Sequence, residues 1–341
     1  MGATTIGNYA LFGGGYAGSS SSAVVDAYNT NLTRSTPTSL SQARAVASTN
    51  VGNYALFGGG SSAVDAYDSN LTRTTPTSLS EARNGLSATS VGNYALFGGG
   101  AAPTSIVDAY DNNLTKTTPT ALSVARSSLS ATSVGNYALF GGGDNWGPTN
   151  YSTVDAYDSS LARSTPTSLS VARRDLAATT VGNYALFGGG YSSVVDAYDS
   201  NLTRTIPTSL SVARGNLSAT SVGNHALFGG GDGTNIKFSV VDAYNSSLIK
   251  TAQTGLSVGR SSLAATTVSN YALFGGGFAE ALDSKTVDCY AVTTTRTIPF
   301  PPGSKYKLNG MSQEVTVTDY QEITFALPIN GYIKYKSVTI T

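Results

Sequence analysis

A short motif that recurs seven times constrains this chain more than any other feature. Asn-Tyr-Ala-Leu-Phe-Gly-Gly-Gly occurs six times, and a seventh copy has His225 in place of the tyrosine. The first glycines of the seven triplets stand at positions 13, 58, 98, 141, 188, 229 and 275, so they are 40–47 residues apart. A second motif, Val-Asp-Ala-Tyr, follows every triplet, with Cys289 replacing the alanine in the last copy. Repeats of this length are typical of propellers and other arrays.

Each repeat contains four short apolar or β-branched segments, which we name strands a to d in chain order. In the fourth repeat they are Leu129–Val134, Tyr137–Phe140, Val154–Tyr157 and Leu161–Thr165, and Pro166 ends the last one. Short strands separated by Gly, Asn and Pro turns favour an all-β fold. One four-stranded sheet per 40–47 residues is the period of a propeller blade. We therefore predict an all-β, seven-bladed β-propeller.

Three features of the repeat resemble the Kelch repeat. A diglycine follows an aromatic-apolar strand, a tyrosine comes about 10–20 residues later, and an Ala-Arg pair precedes the next unit. The Ala-Arg pairs stand at 43–44, 82–83, 125–126, 172–173 and 213–214, with Gly259-Arg260 in the sixth place. The resemblance covers roughly residues 2–299 and implies a Kelch-like propeller that serves binding. The tryptophan usual in strand d of Kelch proteins is absent.

The repeats define two regions of the chain. We predict a propeller over residues 1–299, with blades starting near 2, 46, 86, 129, 176, 217 and 263, and a β-rich extension over residues 300–341. Residues 3–7 match strand a and residues 292–299 resemble strand d. We therefore expect the ring to close by packing blade 7 on blade 1, without strand exchange. In the extension, residues 314–318 and 331–336 alternate like strands, and bracing, oligomerisation and docking remain open as its roles.

Composition excludes several function classes. Charged residues make up 12% of the chain and the net charge is zero, which gives no basic surface for nucleic acid. No apolar run reaches about 18 residues, so we expect no membrane insertion. With one histidine and one cysteine, no zinc or copper site of the usual ligands can form. We expect no metal and no cofactor. The first residues have no signal-peptide pattern, so we expect synthesis in the cytoplasm.

Comparison of the repeats with each other separates framework from candidate site. Aromatic residues present in every blade are predicted to pack between blades. The recurring Asp of Val-Asp-Ala-Tyr and Arg of Ala-Arg are predicted to pair with each other or with turn amides; a charged ring is the alternative. His225 replaces a framework tyrosine and is interpreted as a packed substitute. We predict no catalytic residue and no enzymatic activity. A glycan lyase or hydrolase that uses Asp144 and Asp232 remains the rival hypothesis.

The loops between strands b and c differ most from blade to blade. They emerge on one face together with the d–a connections, and variable loops on a rigid scaffold are where binding is expected. Within the predicted propeller, most of the aromatic residues outside the framework fall in these loops. The predicted ligand-binding residues are Tyr16, Asp144, Asn145, Trp146, Tyr151, Tyr191, Asp232, Asn235, Lys237, Phe238 and Phe278. Drift in unconstrained loops is the alternative.

These observations lead to a functional hypothesis. The repeats resemble Kelch-like proteins of bacteria and their phages more than animal adaptor proteins, which implies binding. We expect a recognition module of a phage tail or tail-like particle, which binds a cell-surface glycan or protein through the b–c loops. Residues 300–341 are candidates for contact with other particle subunits. An intracellular, cytoplasmic Kelch-type interaction scaffold is the alternative.

Overall fold

Seven antiparallel sheets form where the repeats predict them. A computed structural model describes residues 1–280, 282–291, 293–303, 305–306 and 315–328. Within these ranges the regular structure is strand, with no helix. No helix in them is therefore long and apolar enough to span a membrane. The architecture is the seven-bladed β-propeller that the sequence predicted.

The strand bounds repeat closely from blade to blade. Strands a are Gly2–Ile6, Ala47–Val51, Ser87–Val91, Ser130–Val134, Leu176–Val181, Ser218–Val222 and Ala264–Val268. Strands b are Tyr9–Gly13, Tyr54–Gly58, Tyr94–Gly98, Tyr137–Gly141, Tyr184–Gly189, His225–Gly229 and Tyr271–Gly275. Strands c are Val25–Asn29, Val64–Tyr67, Val107–Asp111, Val154–Asp158, Val195–Asp199, Val241–Asn245 and Val287–Ala291. Strands d are Arg34–Ser35, Arg73–Thr74, Lys116–Thr117, Arg163–Ser164, Arg204–Thr205 and Lys250–Gln253.

Strand d is shorter than the sequence predicted. In blade 4 it covers Arg163–Ser164, whereas the prediction was 161–165. Asp158 at the end of strand c accepts the backbone N–H groups of Ser160 and Ala162, and Leu161 adopts a left-handed φ of 66°. This Asx-type turn occupies the residues before strand d. Blade 6 has Gln253 where the other strands d meet proline, so its ladder extends to Val241↔Gln253.

The prediction that residues 292–299 form strand d of blade 7 is wrong. Thr293–Phe300 pairs antiparallel with Gln321–Pro328, and the sheet of blade 7 has three strands among the described residues; residue 292 lies outside them. In each of the other blades an Asp or Asn at the end of strand c caps the c–d turn, as Asp199 does for Asn201 and Thr203. Blade 7 has Ala291 at this position, and a methyl group accepts no hydrogen bond.

The chain divides into two compact units, Met1–Tyr290 and Ala291–Thr341, whereas the sequence predicted a boundary at residue 299. The second unit contains the strand pair just described and a shorter one, Lys305–Tyr306 with Val315–Thr316. This shorter pair includes part of the predicted strand 314–318. The predicted strand at residues 331–336 lies outside the described residues.

The ring of the first unit closes because every blade packs on the next through the same contacts. Strand a of each blade contacts strand a of the next, and blade 7 contacts blade 1. The first glycine of each triplet lies against the strand b phenylalanine of the following blade, from Gly13 on Phe57 to Gly275 on Phe12. A Cβ at these glycines would lie 2.7–2.9 Å from the ring, so any side chain there would push the buried ring out of its position. Blade 1 takes all four strands from residues 2–35, so closure without strand exchange is confirmed.

Buried Arg–Asp pairs tie each d–a connection to the blade that follows. Six arginines, each at most 3% exposed, lie 2.6–3.0 Å from the aspartate of strand c. Arg126, for example, donates to Asp155 and to the carbonyl of Phe140. This confirms the pairing interpretation over an exposed charged ring.

Replacing Arg126 with Met should lower the free energy of unfolding by about 3–5 kcal/mol, because it leaves Asp155 buried without its closest cation. The matched control is Arg34→Met. Arg34 lies 2.7 Å from Asp26, but its side chain is 56% exposed, so we expect a loss of at most about 1 kcal/mol. Denaturant unfolding of both variants measures the difference. Equal losses would contradict a structural role that depends on burial.

Candidate functional site

The candidate site lies on the face that carries the b–c loops, which we name the loop face. Strand b of every blade ends at the glycine triplet, and strand c starts after the loop. Strand a begins at the same end, because its first residues pair with the end of strand b, as in Ser130↔Gly141. The b–c loops and the d–a connections therefore share one face of the ring, as the sequence predicted.

An arc of backbone hydrogen bonds surrounds the mouth of the central channel on this face. It joins residues that stand one or two positions before strands a. Ser128 donates to Gly85, Asp175 to Ser128, Asn216 to Asp175 and Ser262 to Asn216, each from N–H to carbonyl at 2.8–3.0 Å. The four donor residues have left-handed φ angles of 51–55°. Asp and Asn adopt this conformation more readily than most residues, and their side chains are thereby held at the mouth.

A first group of polar side chains lies over blades 4 and 5. Asp144 is 2% exposed and accepts hydrogen bonds from the Ser127 hydroxyl at 2.6 Å and from Arg174 at 2.9 Å. Arg174 also lies 3.4 Å from Asp175. One arginine thus bridges two carboxylates, one on the b–c loop of blade 4 and one on the arc around the channel mouth.

A second group continues over blades 5 and 6. Asn216 donates to the hydroxyl of Tyr191 at 2.8 Å and to Asp232 at 3.1 Å. Lys237 donates to Asp232 at 2.9 Å and to the Ser261 hydroxyl at 2.8 Å. The two groups together form what we name the mouth cluster: Asp144, Arg174, Asp175, Tyr191, Asn216, Asp232 and Lys237.

The carboxyl groups of the mouth cluster differ in their ionisation. Burial raises the pKa of Asp175, the Asp144 and Asp232 carboxylates raise it further, and Arg174 only partly offsets them. Burial also opposes ionisation of Asp232, but hydrogen bonds from Lys237, Asn216 and Ser261 outweigh it and lower its pKa. The charge of the Asp175 carboxylate is therefore less well compensated than that of Asp232.

Three hairpins rise from the loop face on consecutive blades. Blade 6 forms Asp232–Gly233 with Ile236–Lys237, blade 7 forms Phe278–Ala279 with Leu282–Asp283, and blade 1 forms Tyr16–Ala17 with Ser20–Ser21. The Gly18 N–H of blade 1 donates to the Asp283 carboxylate of blade 7. Between the hairpins of blades 6 and 7 lies a groove of about 740 Å³, to which Asn235, Ile236, Lys237, Phe278 and Glu280 contribute.

The predicted residues lie at several different places on the loop face. Asp144, Tyr191, Asp232 and Lys237 belong to the mouth cluster, while Asn235, Lys237 and Phe278 line the groove. Trp146, which is 69% exposed, stands in a loop that Asn145 caps by accepting the N–H groups of Gly147 and Thr149. Tyr16 is 64% exposed on the blade 1 hairpin. Tyr151 and Phe238 are partly buried at loop bases, where their carbonyls accept from Arg173 and Arg260.

Sequence reasoning missed Arg174, Asp175 and Asn216. They stand in the two positions after the framework arginine, where the other repeats have Ala-Val, Asn-Gly and Ser-Ser. The sequence does contain a signal for two of them, because the pair Arg174-Asp175 occurs in one repeat only. Each of blades 2 to 7 thus has three variable positions at the channel mouth: the residue after the triplet and the two residues after the framework arginine that precedes the blade.

No group of three or more His, Cys, Asp or Glu residues able to hold a metal occurs in the part of the chain that the structure describes. His225 begins strand b of blade 6, partly buried, and pairs with Val222. It therefore lies at the end of the strand away from the loop face, in the framework position where the sequence placed it.

Comparison with known proteins gives the fold. No family model and no curated protein matches the sequence. Among solved structures, a chain described as "Structure of YjhT" is similar, with a TM-score of 0.59 and 13% identity. The similarity covers 73% of this chain and 95% of that one. At this identity the likeness shows a common propeller fold alone.

Replacing Asp175 with Asn should stabilise the protein at pH 7. Because the pKa of Asp175 is raised in the folded state, the ionised carboxylate favours unfolding at neutral pH. The advantage of the variant should shrink as the pH falls towards the ordinary aspartate pKa of about 3.9, since Asp175 then becomes protonated. Denaturant unfolding between pH 4 and 8 measures this dependence.

Asp232→Asn is the control, and we expect it to change the stability at pH 7 in the opposite direction. The lowered pKa of Asp232 means that its carboxylate stabilises the folded state at neutral pH. This variant should therefore be less stable than the wild type at pH 7, and the deficit should disappear as the pH falls. Two variants that shift stability in the same direction would contradict the electrostatic assignment.

Proposed function

We propose that the protein is a non-enzymatic recognition module that binds a cell-surface glycan or protein through the loop face. The observation that carries this proposal is the distribution of the differences between repeats. The strands are nearly identical, whereas unique charged and aromatic side chains gather around one end of the channel. Such a rigid scaffold with variable loops suits recognition.

The exposed aromatic residues favour binding over a purely structural role. Trp146, Tyr16 and Tyr191 are 69%, 64% and 51% exposed. Tyrosine and tryptophan combine an apolar ring with a polar group and are enriched among the residues that dominate binding energy. Tyr191 is also held in place, because its ring lies against Gly215, where a Cβ would come within 2.6 Å of it. An oriented aromatic ring loses little conformational entropy when it binds.

We further propose that this recognition takes place in a phage tail or a tail-like particle, with residues 300–341 contacting other particle subunits. The resemblance of the repeats to Kelch-like proteins of bacteria and phages supports this setting, as does the near identity of the repeats, which fits recent amplification. Charged residues make up only 12% of the chain. Such a composition suits an uncharged ligand better than a strongly ionic one.

Binding should depend on Trp146. We expect the full chain to bind whole bacterial cells or arrayed glycans and Trp146→Ala to bind about 30-fold more weakly, since exposed tryptophans at binding sites contribute about 2 kcal/mol or more. The control is Ile249→Ala, which removes a 60% exposed apolar side chain from a c–d loop at the other end of the ring; it should bind like the wild type. Capture of a cytosolic protein, with no binding to cells or glycans, would instead favour an intracellular scaffold.

A further inference from the structure

The groove between the hairpins of blades 6 and 7 has the properties of a built site. Its volume of about 740 Å³ lies within the usual range of small-molecule sites. Its walls are two neighbouring hairpins, and Phe278 is fixed at one side by an antiparallel bridge to Ser261. The Lys237 ammonium lies 5.4 Å from the centre of the Phe278 ring, which adds a cation–π contact. The ring is thus oriented while 40% of the residue remains exposed.

A break in the repeat lies directly beneath this groove. The pair before the framework arginine is Ala-Arg in five connections and Gly259-Arg260 in this one. A Cβ at Gly259 would lie 2.5 Å from the carbonyl oxygen of Lys237. At that distance the two backbones would have to move apart, so the alanine of the other repeats would displace the blade 6 hairpin from this connection. Gly259 therefore permits the hairpin position that shapes the groove.

The chemistry of the lining selects a class of ligand. Ile236 and Phe278 provide exposed apolar surface, while Asn235 and Glu280 provide an amide and a carboxylate at exposed positions. Lys237 is already bonded to Asp232 and Ser261, so its charge is compensated. Glu280 adds a negative charge to the groove, which disfavours an acidic ligand. A neutral ring with apolar C–H faces and hydroxyl groups at its edge matches this combination.

We propose that this groove is a binding subsite for a neutral pyranose unit of a glycan, with Phe278 as the stacking surface and Asn235 and Glu280 as hydrogen-bonding groups. The proposal rests on the recognition function proposed above and deepens it, because it selects a glycan rather than a protein as the ligand and assigns one position to a sugar ring.

Saturation-transfer NMR on the full chain tests the subsite. The probes are the methyl pyranosides of glucose, galactose, mannose and N-acetylglucosamine. We expect at least one to bind, and Phe278→Ala to raise its Kd about tenfold or more, while Phe278→Tyr retains binding. Leu282→Ala is the matched control, since Leu282 is 77% exposed on the other strand of the same hairpin. It should bind like the wild type.

Gly259→Ala tests the shape of the groove without removing a lining side chain. This variant restores the alanine of the other repeats and keeps the Arg260–Asp288 pair. We expect it to weaken sugar binding about as much as Phe278→Ala, with a thermal unfolding curve that shows a folded protein. Unchanged binding in both Phe278→Ala and Gly259→Ala would overturn the assignment of the groove.

The outcomes distinguish a failure of the proposed subsite from a failure of the proposed recognition function. Binding to cells that is lost in Trp146→Ala but unchanged in Phe278→Ala would refute the subsite and leave the recognition function standing. The same holds if cells are bound but none of the four pyranosides gives a saturation signal. Absence of binding to cells, glycans and pyranosides alike would refute both.

Discussion

The close approach of a glycine to a phenylalanine at every blade junction is the constraint on which the rest of the structure depends. A Cβ at the first triplet position would lie 2.7–2.9 Å from the neighbouring ring, so any residue other than glycine would force that ring to shift. Each contact sets the distance between two blades, and the seventh contact, Gly275 with Phe12, must match the first six for the ring to close. Among the described residues, apolar clusters span six of the junctions, as Leu56 and Val64 of blade 2 pack with Phe97 and Tyr110 of blade 3. This explains why the repeats are nearly identical in their strands.

A scaffold fixed in this way restricts variation to positions outside the junctions. The arc around the channel mouth is held by backbone hydrogen bonds from Ser128 to Ser262, so its side chains vary without altering the ring. In the connections before blades 5 and 6, these positions and the residue beside them carry Asp175, Asn216 and Arg174. Arg174 donates to Asp144 and Asn216 donates to Asp232, both on the loops. Identical backbones thus present different chemistry in each blade, which is the property that a recognition surface requires.

The sequence predicted the framework well because each framework residue recurs in the same local role. The triplet glycines, the strand b Phe and the Arg–Asp pairs could be assigned by repetition alone. Prediction failed where one residue changed a turn. Ala291 replaces the capping Asp or Asn, and the segment after it pairs with Gln321–Pro328 despite its resemblance to strand d. Three of the seven residues of the mouth cluster were missed for a different reason: Arg174, Asp175 and Asn216 stand in the d–a connections, and folding places them beside the b–c loops of the neighbouring blades.

Three departures from the framework of the repeat lie in blades 6 and 7. Gln253 replaces a proline, Gly259 replaces an alanine, and Ala291 replaces a capping residue. Each lies outside the Gly–Phe junction, so the ring tolerates it. Gly259 shows the consequence most directly, because loss of one methyl group lets the Lys237 carbonyl approach the connection. In this hairpin Lys237 contacts Asp232, Ser261 and Phe278. A small residue beneath the surface is therefore compatible with the position of these polar and aromatic groups, whereas the alanine of the other repeats is not.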